Sequence, residues 1–202
     1  MCRGTNNVPV LTDGRGVVLR GHRLGDLTAI VEQCSDPDMV RFTTVPRPYG
    51  IQDGREFLRY ARTAWEQQAP TSTRIWAITT EVAGVEHFAG TIDYRPTGHG
   101  TAIVGYGLHP AHRGRGLMST ALGLVITWAF EHDCQELFQW QAVVGNWASA
   151  KTAWRHGFRL EGWVRGLCVQ PDGGVFDGWI ATLHRDDPRT PCQPWPWVVE
   201  PR

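Results

Sequence analysis

"HPAHRGRGLMSTAL", residues 109–122, places a proline, two arginines and two glycines directly ahead of a run whose apolar residues recur at helical spacing. Leu117, Ala121, Val125 and Trp128 follow at intervals of four, four and three, with Leu122 and Ala129 alongside, the stripe of an amphipathic helix. The residues before it, "TAIVGYGLH" (101–109), read as a strand. A strand that passes through a glycine turn into a helix start offers several backbone N–H groups and the positive end of a helix dipole to one anion. Phosphate is the natural occupant. Gly114 and Gly116 allow close backbone approach or positive φ, and Arg113 or Arg115 adds charge-assisted contacts. An isolated R-G-R-G is more often a plain turn with solvated arginines, so its context decides.

Two other uses of such a turn fail on the residues. Neither G-x-x-x-x-G-K-[ST] nor G-x-G-x-x-G is present, which sets aside a nucleotide P-loop and a dinucleotide fingerprint. One R-G-R-G in a chain of 20 basic and 20 acidic residues lacks the basic surroundings of a nucleic-acid segment, and the neutral whole gives no reason to expect a membrane partner. Five cysteines, Cys2, Cys34, Cys134, Cys168 and Cys192, are odd in number, widely spaced and without a C-x-x-C pair. Neither a disulfide framework nor a metal site is expected, and a reducing, cytoplasmic setting is. The N-terminal "MCRGTNNVPV" lacks the apolar centre of a signal peptide, and no stretch has the length of a spanning helix.

Working outward, residues 1–15 form a loose polar lead-in and "GVVLRGH" (16–22) a first strand. A helix is expected over Asp26–Cys34, turn chemistry at "SDPDMVRF" (35–42), an irregular loop at "PRPYGIQDG" (46–54), and a second helix capped by Asp53 and carrying Phe57, Leu58, Ala61, Ala64 and Trp65. Strands follow at "RIWAITT" (74–80), "HFAGTIDYR" (87–95) and 101–109, then the helix after the glycine turn, then a strand at "LFQWQAVV" (137–144). "NWASAKTAWRHGF" (146–158) opens on an N-cap Asn and ends at Gly157 as C′ residue, a short helix. A last hairpin spans 159–169 and 175–184. This order argues an α+β fold with a partly antiparallel sheet. The Pro-rich tail, 186–202, leaves the sheet, with Trp195 and Trp197 as docking side chains.

The stretch "YGLHPAHRGRGLMSTAL" (106–122) resembles the acetyl-coenzyme A signature of the GNAT N-acetyltransferases, an apolar-x-Pro step followed by [RQ]-x-x-G-x-[GA]. Arg113 and Gly116 fill the first and fourth positions, while the sixth, normally Gly or Ala, is Met118. "NWASAKTAWRHGFRLEG" (146–162) is similar to the N-x-x-S…G-F element of the ribosomal-protein-alanine acetyltransferase (RimJ/RimL-like) branch, and "SDPDMVRF", "PRPY" and "REFL" sit where that branch carries similar segments. The resemblance covers residues 16–185 and implies a GNAT-like domain there, a mixed, mostly antiparallel central sheet flanked by helices.

It also implies acetyl-CoA, or another acyl-CoA, held by Leu108, Arg113, Gly114, Arg115, Gly116, Leu117, Met118, Ser119, Asn146 and Lys151. The pantetheine arm would run along the splayed end of Tyr106–Leu108, where Gly105 and Gly107 suit a close approach. Ser149, matching the Ser of the branch, would protonate or hydrogen-bond the departing thiolate, and Asn146 would both cap its helix and bind the cofactor. The glutamate that many GNAT enzymes use as base falls on Ile103, so the role passes to Asp93, with Glu86, His87 and Tyr94 near the same strand. Arg41, Arg47, Tyr49 and Trp76 are candidate walls of the acceptor pocket. The expected activity is direct attack of a primary amine on the thioester in a ternary complex, without a covalent cysteine intermediate, since no Cys lies at the two motifs. The acceptor would be a small-molecule amine or a protein N-terminus, and the sequence leaves a homodimer open. The alternative is a GNAT-fold module that binds and senses acyl-CoA without turnover.

Overall fold

The computed structural model describes residues 8–67 and 69–196. Its strands are β1 (Leu11–Thr12), β2 (Val17–Arg20), β3 (Arg74–Val82), β4 (Val85–Gly98), β5 (Thr101–Leu108), β6 (Leu137–Val143), β7 (Arg159–Val169) and β8 (Val175–His184). Its α-helices are α1 (Leu27–Ser35), α2 (Pro37–Phe42), α3 (Ile51–Glu66), α4 (Leu117–His132) and α5 (Trp147–Arg155). The strands form one sheet in the order β1-β2-β3-β4-β5-β6-β8-β7. Every neighbouring pair is antiparallel except β5 with β6, which runs parallel.

Both faces of the sheet centre are covered, so β3 is buried along its first seven residues instead of alternating. On one face Trp76, Ile92, Tyr94, Val104 and Phe138 pack on the stripe of α4, whose Ala121, Leu122, Val125, Ile126 and Ala129 are fully buried. On the other, Ala77 and Phe88 meet Ile30 and Cys34 of α1, with Phe57 and Leu58 of α3 closing the layer. This two-sided cover is the α+β architecture expected from the order of elements.

The β5–β6 pairing positions the site. It extends only from Thr101 opposite Leu137 to Val104 opposite Trp140, while β5 runs on to Leu108 and β6 to Val143. Past that point the parallel strands diverge, leaving one edge of β5 over Gly105–Leu108 without a strand partner among the described residues. On the other edge of β5, Gly90 of β4 comes close: a Cβ on it would lie 2.4 Å from the Gly107 carbonyl oxygen.

Three local expectations change. The Asp-Pro pair in "SDPDMVRF" starts a helix, because Asp36 accepts the N–H groups of Asp38 (3.1 Å) and Met39 (3.2 Å) and Pro37 occupies the first turn. Helix α3 begins one turn before Asp53: Gly50 is its N-cap, and Asp53 accepts the Gly50 N–H at 2.7 Å. Cys134 is disulfide-bonded, against the expectation of unpaired thiols, while Cys34, Cys168 and Cys192 are free. The tail folds back on α5. Trp154 Nε1 donates to the Gln193 carbonyl at 2.9 Å, and the Trp154 and Trp195 rings meet edge-on at 5.4 Å. Gly157 has the φ of +86° expected of a C′ residue, and a Cβ there would lie 2.1 Å from the Pro188 carbonyl oxygen, so the tail crosses directly over it. Trp197 lies outside the described residues.

Candidate active site

The glycine turn has the positive-φ backbone that its glycines allow. Gly114 and Gly116 have φ of +76° and +77°, and nothing lies within 4 Å of a Cβ built on either, so backbone conformation rather than space calls for glycine. The first helical bond of α4 runs from Thr120 N–H to Gly116 carbonyl at 3.1 Å. Ahead of it, the N–H groups of residues 114–119 have no partner among the described residues, a row of donors at the positive end of a helix of 16 residues. Such a row in open space fits a coenzyme pyrophosphate.

Side chains around this row divide into those that face it and those that do not. Met118 is 7% exposed and packed in the α4 core, turned away from the turn, so the departure at the sixth signature position crowds nothing. Arg113 is committed elsewhere: its guanidinium reaches Asp36 at 2.5 Å and Asp38 at 3.1 Å on α2. Burial would raise the Asp36 pKa, but Arg113 and the capping N–H groups hold it below the usual carboxylate range. Arg115 is exposed beside His112, at 3.3 Å. Ser119 Oγ is engaged by His156 Nε2 at 2.9 Å, leaving its backbone N–H for the row. Lys151 is exposed on α5, and Leu108 is half-buried at the end of β5.

The β5–β6 opening leads into a cleft of about 760 Å³ between the sheet and α1–α3, which also takes in residues of β7. Asp93, Gly105, Tyr106, Gly107, Trp140, Asn146 and Ser149 line it together. The sequence places Ser149 and Asn146 on a different element from Asp93; the fold brings them to one cavity. Asn146 caps α5, its side-chain oxygen accepting the Ser149 N–H at 3.3 Å, and its amide nitrogen is a donor beyond that cap. Ser149 Oγ accepts the Trp140 indole N–H at 3.0 Å. An indole nitrogen only donates, so the Ser149 hydroxyl proton is left for another acceptor. Tyr106 donates its hydroxyl to the Ser149 carbonyl at 3.0 Å, and burial raises its pKa, keeping the phenol protonated.

Asp93 lies over Gly105, where a Cβ would come within 3.2 Å of Asp93 Oδ2 and 2.9 Å of the Arg95 guanidinium. The missing side chain makes room for the carboxylate. Burial pushes the Asp93 carboxyl up to about 6, while Arg95, 3.5 Å away, pulls it down. A carboxylate poised there is ionised at neutral pH and still basic enough to take a proton.

Several other candidates lie elsewhere. Glu86 is held by Arg20 and Arg23 at 3.0 and 3.2 Å, His87 is exposed, and Tyr94 is fully buried on the α4 face with its hydroxyl on Asp133 at 2.5 Å. None reaches the cleft. Of the expected pocket walls only Tyr49 lines it. Trp76 is wholly buried in the α4 core, because its strand position points to that face. Arg47 straps the β7–β8 turn to α2, binding Asp172 (3.1 Å), Gln170 (2.9 Å) and the Val40 carbonyl, and Arg41 stacks on Phe42. Sequence reasoning gave no role to Tyr106 beyond its backbone, nor to Trp140, Met39 or Gln33. The readable signal for Gln33 is a polar residue in the buried set of α1, beside Ile30 and Cys34.

Residues 17–159 match the family described as "Acetyltransferase (GNAT) domain". No curated protein matches the chain. Among solved structures, the RimL ribosomal L7/L12 alpha-N-protein acetyltransferase in complex with coenzyme A superposes with a TM-score of 0.74 at 18% identity, over 87% of this chain and 98% of that one. The Salmonella typhimurium acetyl transferase that modifies the N-terminal serine of ribosomal protein L7/L12 gives 0.74 at 17%, over 88% and 100%. The microcin C7 self-immunity acetyltransferase MccE, in complex with acetyl-CoA and AMP, gives 0.72 at 20%, over 84% and 93%. These likenesses are likenesses of fold. With the signature turn, the diverging parallel strands and a family match over most of the chain, the protein belongs to the GNAT acetyltransferase family.

Proposed function

We propose that this acetyl-CoA-dependent N-acetyltransferase acylates a primary amine by direct attack in a ternary complex, with Asp93 as base and Ser149 as the donor to sulfur. The observation that carries the reading is one cleft that holds Asp93, Ser149 and the unpaired end of β5 together. The N–H groups of residues 114–119 would hold the coenzyme pyrophosphate, Arg115 and Lys151 are exposed cations within the two cofactor motifs, and the Asn146 amide would add a contact. Acetyl-CoA supplies a thioester carbonyl whose C–S bond is exchanged for a C–N bond. An ammonium acceptor loses two protons in that exchange, one to solvent and one to sulfur. Asp93 takes the first, and the Ser149 hydroxyl, its oxygen fixed by Trp140, hands the second to sulfur. An α-amino group, with pKa about 8, is better matched to a base near 6 than a lysine side chain near 10. This favours an α-amino acceptor, on a small molecule or a protein N-terminus, and a place in the RimJ/RimL-like branch. We place the protein in the cytoplasm; no helix among the described residues is long and apolar enough to cross a membrane. The experiment is acetyl-CoA binding by calorimetry together with thiol release over a panel of phenylethylamine, spermidine and a seryl peptide with a free N-terminus. Tight binding without release from any amine would favour the sensing module instead.

A further inference from the structure

Two walls of the cleft come from segments far apart in the chain and meet at one arginine. Residues 43–46, after α2, line the cleft on the helix side, and residues 167–170, at the end of β7, line it on the sheet side. Arg47 spans the two. Its guanidinium donates to Asp172 Oδ2 at 3.1 Å, to Gln170 Oε1 at 2.9 Å and, back on its own side, to the Val40 carbonyl. Gln170 is 4% exposed, and its amide nitrogen donates to the Arg41 carbonyl at 3.5 Å. The turn that carries Gln170 and Asp172 is braced from within. Gln170 N–H donates to the Gly174 carbonyl at 2.8 Å, and Asp172 Oδ1 accepts the Gly174 N–H at 3.0 Å, which leaves Oδ2 for Arg47. Among the described residues no backbone hydrogen bond joins the two walls, so the link between them is made by side chains.

The place of this link matters because the sheet separates the two substrates. The donor row, the proposed coenzyme site, begins α4, which covers one face, while α1 and α3 cover the other. A coenzyme that reaches the β5–β6 opening from the α4 side leaves the acceptor the cleft on the opposite side, where Arg47 joins the walls. A partly exposed ion pair with a few hydrogen bonds is weak enough to part without disturbing the core.

We propose that Arg47, with Gln170 and Asp172, forms a clasp that selects acceptors by length. A compact amine is enclosed under it, whereas an acceptor that continues as a chain leaves between the same two walls and has to part them. The assignment rests on the transferase reading above and narrows its acceptor to a small molecule. Arg47 acts on admission to the cleft, not on the reacting atoms.

The test has two arms. In the first, kcat/KM with acetyl-CoA is measured for serinamide and for a seryl hexapeptide, which share the attacking α-amino group, in wild type, Arg47→Met and Gln170→Leu. Each variant breaks the clasp from one wall. Wild type should prefer serinamide, and both variants should move the ratio about tenfold toward the hexapeptide, the weight of one charge-assisted hydrogen bond, with acetyl-CoA affinity held. The second arm needs no turnover. Cys168 is a free thiol that lines the cleft beside Gln170. Its labelling by iodoacetamide and by a bulky maleimide, read by mass spectrometry of the peptide that carries it, should shift toward the bulky reagent in both variants. Wild type that acetylates the hexapeptide as readily as serinamide overturns the clasp. So do ratios that the variants leave unmoved in either arm, and so does a parallel loss with both acceptors, which is what a purely structural role produces. Failure of wild type to release thiol with any amine strikes at the transferase reading, while the labelling ratio still judges the clasp.

Discussion

Asp93→Asn separates the two consequences of burying a carboxylate in the cleft. Folding raises the Asp93 carboxyl from 3.8 to about 6, so between those values the folded chain binds more protons than the unfolded one. Stability therefore falls as pH rises through that window and levels off above it. Two units at 1.36 kcal/mol each give about 3 kcal/mol. The side chain keeps 20% of its surface exposed, and solvent screens part of the cost, so about 2 kcal/mol is the working figure. Asp93→Asn, which cannot ionise, should exceed wild type by that amount in urea denaturation at pH 7.5, and the advantage should vanish below pH 4, where the wild-type carboxyl is protonated in both states. The same variant should lose about a hundredfold or more in kcat/KM, the usual contribution of a positioned base. In wild type, kcat/KM should rise with pH through about 6. Equal stability of the two proteins across pH 4–8 would show the carboxylate to be solvated, and unchanged turnover would remove it from the chemistry.

Other substitutions probe the rest of the site. Gly116→Asp puts a carboxylate against the donor row and a side chain at φ +77°, and calorimetry should find acetyl-CoA binding abolished. Ser149→Ala should lower kcat by about a hundredfold while acetyl-CoA affinity holds within a few-fold, and should cost about 1 kcal/mol of stability because the Trp140 N–H loses its acceptor. Met118→Ala should cost about 2–5 kcal/mol in denaturation with acetyl-CoA affinity unchanged, since the side chain fills the α4 core and not the turn.

What the sequence revealed was what depends on neighbours along the chain. The glycine turn, the stripe of α4 and the Asn146 cap are local patterns, and each is found where the residues put it. "SDPDMVRF" misled because an Asp-Pro pair satisfies a turn and a helix start equally well; only the packing of Met39 against the sheet selects the helix. Trp76 was open to misreading for a different reason. β3 is buried along its first seven residues, so hydrophobic alternation says nothing about which of its faces looks into the cleft, whereas on β4 the alternate buried positions Ile92 and Tyr94 mark the α4 face. Asp93 came from the sequence as one of four titratable residues near its strand, and only the opening between β5 and β6 distinguishes it from Glu86, His87 and Tyr94.

The ion pairs from Arg113 to Asp36 and Asp38 tie the glycine turn, the proposed coenzyme site, to a helix that lines the proposed acceptor cleft. Asp36 is at once the cap of α2 and the anchor of that turn. The two binding functions therefore cannot be exchanged as separate cassettes. A chimera that imports α2 from a relative with another acceptor, but keeps Arg113, inherits a cation without its counter-ions beside the glycine turn. Redesign of acceptor choice in this scaffold has to carry residues 36 and 38 along with the cleft.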